Sequence, residues 1–98
     1  MILSPNERLI AISLHNKPKC SCELAEDLGK GDTVIAANLR KMQESKLVKH
    51  IRTGIRKKYH LTAYGDSIYD LLSTHDASFR DLIAEYKNKI GDQEYPHC

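Results

Sequence analysis

The sequence predicts a mainly α-helical domain with one small β element. Three observations carry that expectation. Five stretches show helical apolar spacing or cap signals. A turn with two glycines separates the second from the third. After the third come two β-rich runs crowded with Lys and Arg.

The first helix is expected over residues 4–15. Ser4 can cap it, Pro5 fits the first helical position and Glu7 completes a capping box. Leu9, Ile10, Ile12 and Leu14 supply the apolar side, and Pro18 prevents continuation. A second, short helix is expected over 21–28, capped by Ser21, with Leu24, Ala25 and Leu28 inward. After "GKGD", Asp32 or Thr33 caps a third helix over 32–45, in which Ile35, Leu39 and Met42 fall on one stripe. Its other face carries Thr33, Ala37, Asn38, Arg40 and Lys41.

Two helices joined by a short glycine turn form a helix-turn-helix pattern. The runs "LVKHIR" (47–52) and "IRKKYHL" (55–61), with "TG" between them, read as a hairpin. Helix-turn-helix followed by a hairpin is a winged helix, an α+β fold. Thr62 then caps a fourth helix over 62–73, with Leu61, Tyr64, Ile68, Leu71 and Leu72 on one face. "STHDAS" is a break. A fifth helix over 76–90 aligns Phe79, Leu82, Ile83, Tyr86 and Ile90. That stripe lies beyond the winged-helix unit (1–73), so segment 74–90 is expected to pair with a second copy across a two-fold axis. The alternative is folding back on the first helix. Residues 91–98 read as a loose tail.

Totals narrow the function. The chain has 98 residues, enough for one domain, and 41% of them are hydrophobic, so it is expected to be globular. No apolar run is long enough to span a bilayer, and "MILSPNERL" lacks the pattern of a signal peptide, so a cytoplasmic location is expected. The net charge is only +2, but it is unevenly spread. Residues 46–60 hold Lys46, Lys49, Arg52, Arg56, Lys57 and Lys58 and no acid, whereas acids recur from Asp66 onward. A basic middle beside a helix-turn-helix fits a nucleic-acid surface, with double-stranded DNA ranked above single strands or RNA because only Tyr59 and Tyr64 offer stacking surface near the wing. Arg52, Arg56, Lys57 and Lys58 would meet phosphates or the minor groove, and Thr33, Asn38, Arg40 and Lys41 the major groove. No phosphate loop or nucleophile motif is present, so an enzyme is not expected. Among three cysteines, Cys20 and Cys22 form a Cys-x-Cys at a helix start, where thiol pKa values fall and thiolates suit soft metals, with Cys98 or His15 able to complete a site; the alternative is two small, partly buried residues beside a helix start.

The segment "ERLIAISLHNKPKCSCELAEDLGKGDTVIAANLRKMQESKLVKHIRTGIRKKYHL" (7–61) resembles the arsenic-repressor-type (ArsR/SmtB) winged-helix regulators. The likeness is strongest in "CSCELAEDLG" and "NLRKMQESKLV"; "LTAYG" after the wing looks like the MarR type. The resemblance implies a homodimeric DNA-binding transcriptional regulator, with 21–28 as positioning helix, 32–45 as recognition helix and 47–61 as wing. It also implies a soft-metal or oxidant effector at Cys20 and Cys22, usually with a third thiolate, where Ala25 stands here. The family's recognition helix opens "SQPTVSRHL"; this chain has "GDTVIAANL". Val34, Ala36 and Ala37 therefore replace hydrogen-bonding residues, leaving Val34 and Ala37 to contact thymine methyls. The competing reading is a winged-helix protein-interaction module without sequence-specific DNA binding.

Overall fold

The computed structural model describes residues 3–90. Its elements run α1 (Pro5–Asn16), α2 (Ser21–Leu28), α3 (Asp32–Glu44), β1 (Val48–Thr53), β2 (Arg56–Leu61), α4 (Ala63–His75) and α5 (Ala77–Ile90). This is the expected winged helix. No helix among the described residues is long and apolar enough to cross a membrane. The expected tail, 91–98, lies outside the described residues.

The capping box forms as read: the Ser4 amide donates to Glu7 Oε1 at 2.8 Å, and the Glu7 amide donates to Ser4 Oγ at 3.3 Å. Two other caps shift by a residue. Cys20, not Ser21, precedes α2, and its amide donates to Glu23 Oε1 at 3.1 Å. Gly31, not Asp32 or Thr33, precedes α3. Asp32 is thus the first helical residue, where its carboxylate meets the positive end of the helix dipole.

Ile35, Leu39 and Met42 of α3 are buried against α1 and α2, with Ile10, Leu14 and Leu24. The hairpin is antiparallel, with Val48 opposite Leu61 and Thr53 opposite Arg56. Its two-residue turn is Gly54–Ile55 rather than the expected Thr53–Gly54. Gly54 has φ 66°, and Ile55 has no positive φ, the arrangement of a turn with glycine first. The connector between α1 and α2 extends this sheet. Lys19 and Tyr59 exchange both backbone hydrogen bonds, at 3.1 and 2.7 Å.

Thr62 Oγ1 accepts from the Gly65 amide at 3.0 Å, so Thr62 caps α4 as expected. The inward face of α4 differs. Gly65 and Tyr69 are buried, Ile68 and Leu72 half-buried, while Tyr64 and Leu71 are exposed. The cause is close approach: a Cβ at Gly65 would lie 2.2 Å from the Leu47 carbonyl oxygen, so the helix rests its glycine on the α3–β1 connection. The helix break is a single residue, Asp76, whose Oδ1 accepts from the Phe79 amide at 3.2 Å.

Helix α5 lies against α1 and α4 of the same chain. Phe79 is buried, its ring 5.4 Å from that of Tyr69, and Tyr86 is buried too. This alters what a two-fold interface can use. Phe79 and Tyr86 serve the chain's own core, Leu82 and Ile83 remain half-buried, and the side chain of Ile90 lies outside the described residues.

Candidate nucleic-acid interface

Helix α3 presents Thr33, Val34, Ala36, Ala37, Arg40 and Lys41 to solvent, with Asn38 half-exposed. The 3.6-residue period places these opposite the Ile35–Leu39–Met42 stripe. One Asn38 amide hydrogen is already used, since Nδ2 donates to the Val34 carbonyl at 2.8 Å. Val34 is 40% exposed, so the face is apolar at its edge. Gln43 Nε2 lies 2.9 Å from His50 Nδ1, tying the end of α3 to β1.

The wing carries exposed Lys49, Arg52, Arg56, Lys57 and Lys58. Strand register sets Arg52 directly opposite Lys57. Like charges facing across a ladder destabilise it. Among the described residues, neither of the two recorded ion pairs involves a wing residue: they join Arg8 to Asp76 and Lys19 to Asp27. The strands therefore hold a positive edge without an ion-pair partner among the described residues.

Cys20 and Cys22 come together, with sulfurs 3.2 Å apart at the start of α2. They share a shallow cleft with the wing residues Ile55, Arg56, Lys57 and Tyr59. No third ligand joins them: the described residues contain no cluster of three His, Cys, Asp or Glu side chains able to hold a metal. His15 lies elsewhere, stacked on Tyr69 at 3.7 Å, and Cys98 is outside the described residues. Two sulfurs leave a tetrahedral soft-metal site half-filled, so this donor set alone does not fit a resident metal.

A buried polar cluster went unread in the sequence. Lys19 Nζ lies 3.8 Å from Asp27 Oδ2 with both side chains fully buried, and it donates to the Ser13 carbonyl at 2.6 Å. Ser13 Oγ and the Tyr86 hydroxyl also donate to Asp27 Oδ2. The cluster joins α1, the connector, α2 and α5. Burial holds the Lys19 ammonium below its ordinary pKa, an effect that Asp27 only partly offsets. Asp27 one turn after Glu23 resembles an ordinary exposed helix pair, and Lys19 beside Pro18 resembles a loop charge, so no local signal marked them.

These features define a winged-helix chain with a basic hairpin. No protein-family model matches it, and no curated protein matches its sequence. Solved structures do match. A variant of Lactococcus lactis ZitR superposes with a TM-score of 0.75 at 22% identity, over 94% of this chain and 65% of that one. Wild-type ZitR in complex with DNA gives 0.70 at 21% identity, over 94% and 65%. The transcriptional repressor BigR from Xylella fastidiosa gives 0.67 at 22%, over 76% and 75%. The chain thus spans less than two-thirds of the ZitR length. At these identities the likeness establishes the fold.

Proposed function

We propose that the chain is a DNA-binding transcriptional regulator acting as a homodimer, with α3 in the major groove and the wing on phosphates or in the minor groove. The observation that carries this reading is the Arg52–Lys57 pairing in a hairpin that makes no ion pair with a carboxylate among the described residues. Opposed cations cost the free protein stability, and a polyanion lying along the strands removes that cost. ZitR, similar in fold, has been solved with DNA. In a two-fold dimer, the two α3 helices would meet major grooves about 34 Å apart.

Cys20 and Cys22 are the effector site in this reading, as a soft-donor or redox pair adjoining the wing. No step is routed through a metal, because two sulfurs do not complete a site.

A second reading has support in the Val34–Ala36–Ala37 edge of α3: a protein-interaction module. Fluorescence anisotropy separates the two. A labelled duplex, selected by the protein from a randomised pool, is titrated at several salt concentrations. A regulator gives a steep salt slope and preference over a scrambled duplex. Combined Arg56→Glu and Lys58→Glu exchange lowers affinity by orders of magnitude at unchanged fold. No binding at low salt removes the DNA reading and leaves the interaction module.

A further inference from the structure

We infer that Ile55 is an apolar wedge that enters the DNA minor groove and sets which base steps the wing accepts; this rests on the DNA-binding reading above. Ile55 is 95% exposed, the most open of the large apolar side chains among the described residues. It occupies the second position of the two-residue turn, at the far end of two six-residue strands. The tip borders the shallow cleft at the start of α2, whose lining Ile55 shares with Cys20, Ser21 and Cys22, while its side chain stays open to solvent.

The turn does not require an isoleucine. Gly54 supplies the only positive φ there, so a small polar residue would serve at position 55. Nor does the side chain pack inward at that exposure. Its surroundings specify the partner. Arg52, Arg56, Lys57 and Lys58 flank it, all exposed. An apolar protein partner would have to strip water from four cations. A lipid surface would favour a continuous apolar face, whereas Ile55 and the exposed Ile51 are interleaved with these cations. A duplex matches both features at once: phosphates on either side take the cations, and the groove between them, about 6 Å wide, admits one branched side chain. Apolar side chains entering that groove partly unstack a base step and bend the helix away, which is easiest at flexible pyrimidine–purine steps.

The wedge and the cations differ in salt dependence. A phosphate contact releases counterions and steepens the slope of log affinity against log salt; burial of an aliphatic side chain does not. The test measures the full chain, Ile55→Ser and Ile55→Leu against a duplex selected from a randomised pool, by anisotropy across salt. Bending is read by energy transfer between the duplex ends. We expect Ile55→Ser to lose about tenfold in affinity with an unchanged slope and a smaller bend, and Ile55→Leu to keep both. Because the side chain touches little of the protein, the melting temperature should not move. Equal binding by Ile55→Ser, or a loss accompanied by a shallower slope, overturns the wedge while leaving DNA binding intact. Failure of the unaltered chain to bind any duplex at low salt overturns both.

Discussion

Lys19 and Asp27 face each other at 3.8 Å inside the protein, and neither side chain reaches water. Removing one partner of such a pair leaves the other charged group buried without compensation. Asp27→Ala should therefore destabilise the fold by about 3–5 kcal/mol in urea titration. Tyr86→Phe removes one hydrogen bond to the same carboxylate and should cost about 1–2 kcal/mol. Equal costs for the two would mean that the lysine pairing contributes nothing.

Burial depresses Lys19 from its ordinary 10.5. The unfolded chain keeps that ordinary value, so it binds more protons between the folded value and 10.5. Stability should rise with pH across that window and be indifferent to Lys19 below it. Tyr69 acts oppositely. Burial, then the Asp70 charge, raises its pKa above 10.0, so the unfolded chain releases the proton first and stability falls beyond 10.0. Lys19→Met should abolish the rise and keep the fall, as followed by urea titrations up to about pH 10.5.

Gly65 admits no side chain, since a Cβ there would stand 2.2 Å from a backbone oxygen of Leu47. Gly65→Ala should cost about 3 kcal/mol, because backbone must shift to make room. A thermal midpoint within a degree of the unaltered chain would refute the close packing of α4 on the α3–β1 connection.

Lys46 holds φ 64° between α3 and β1, a left-handed conformation that a Cβ disfavours. Lys46→Gly should stabilise by about 0.5–1 kcal/mol, reduced from the full strain by the extra freedom of glycine in the unfolded chain. Calorimetry should show a midpoint several degrees higher.

The Arg52–Lys57 pairing makes stability and binding move in opposite directions. Lys57→Gln should raise stability of the free chain by a few tenths of a kcal/mol. The same change should weaken DNA binding and reduce the magnitude of the salt slope by about one. A variant that lost both stability and affinity would show the lysine to be structural.

Much of this architecture could be read locally. Ser4 and Glu7 announce α1, Thr62 announces α4, and Ile35, Leu39 and Met42 mark the inner face of α3 by period alone. The misreadings have physical sources. Leu71 and Tyr64 were expected inward on hydrophobicity, but the glycine contact rotates α4 so that Gly65 and Tyr69 take the core. The hairpin register moved one residue because Gly54 had to be the first turn position, which puts Ile55 at the tip. Phe79 and Tyr86 show apolar period clearly, but periodicity cannot say whose core the stripe joins. The Lys19–Asp27 cluster unites positions distant in sequence, and only the assembled fold brings them together.

The double hydrogen bond between Lys19 and Tyr59 has a mechanical consequence. It rivets the strand returning from the hairpin tip to the segment from which α2 departs, while Gln43 and His50 fasten the strand leading to the tip to α3. Both attachments resist hinging of the hairpin against the helices, so in the DNA-binding reading the chain would act as a caliper with fixed jaws. One jaw is the exposed face of α3, and the other is the wing tip. A duplex would then be selected by whether the distance from one groove to the next matches that gap, which would make helical twist, and not base identity alone, part of what is read.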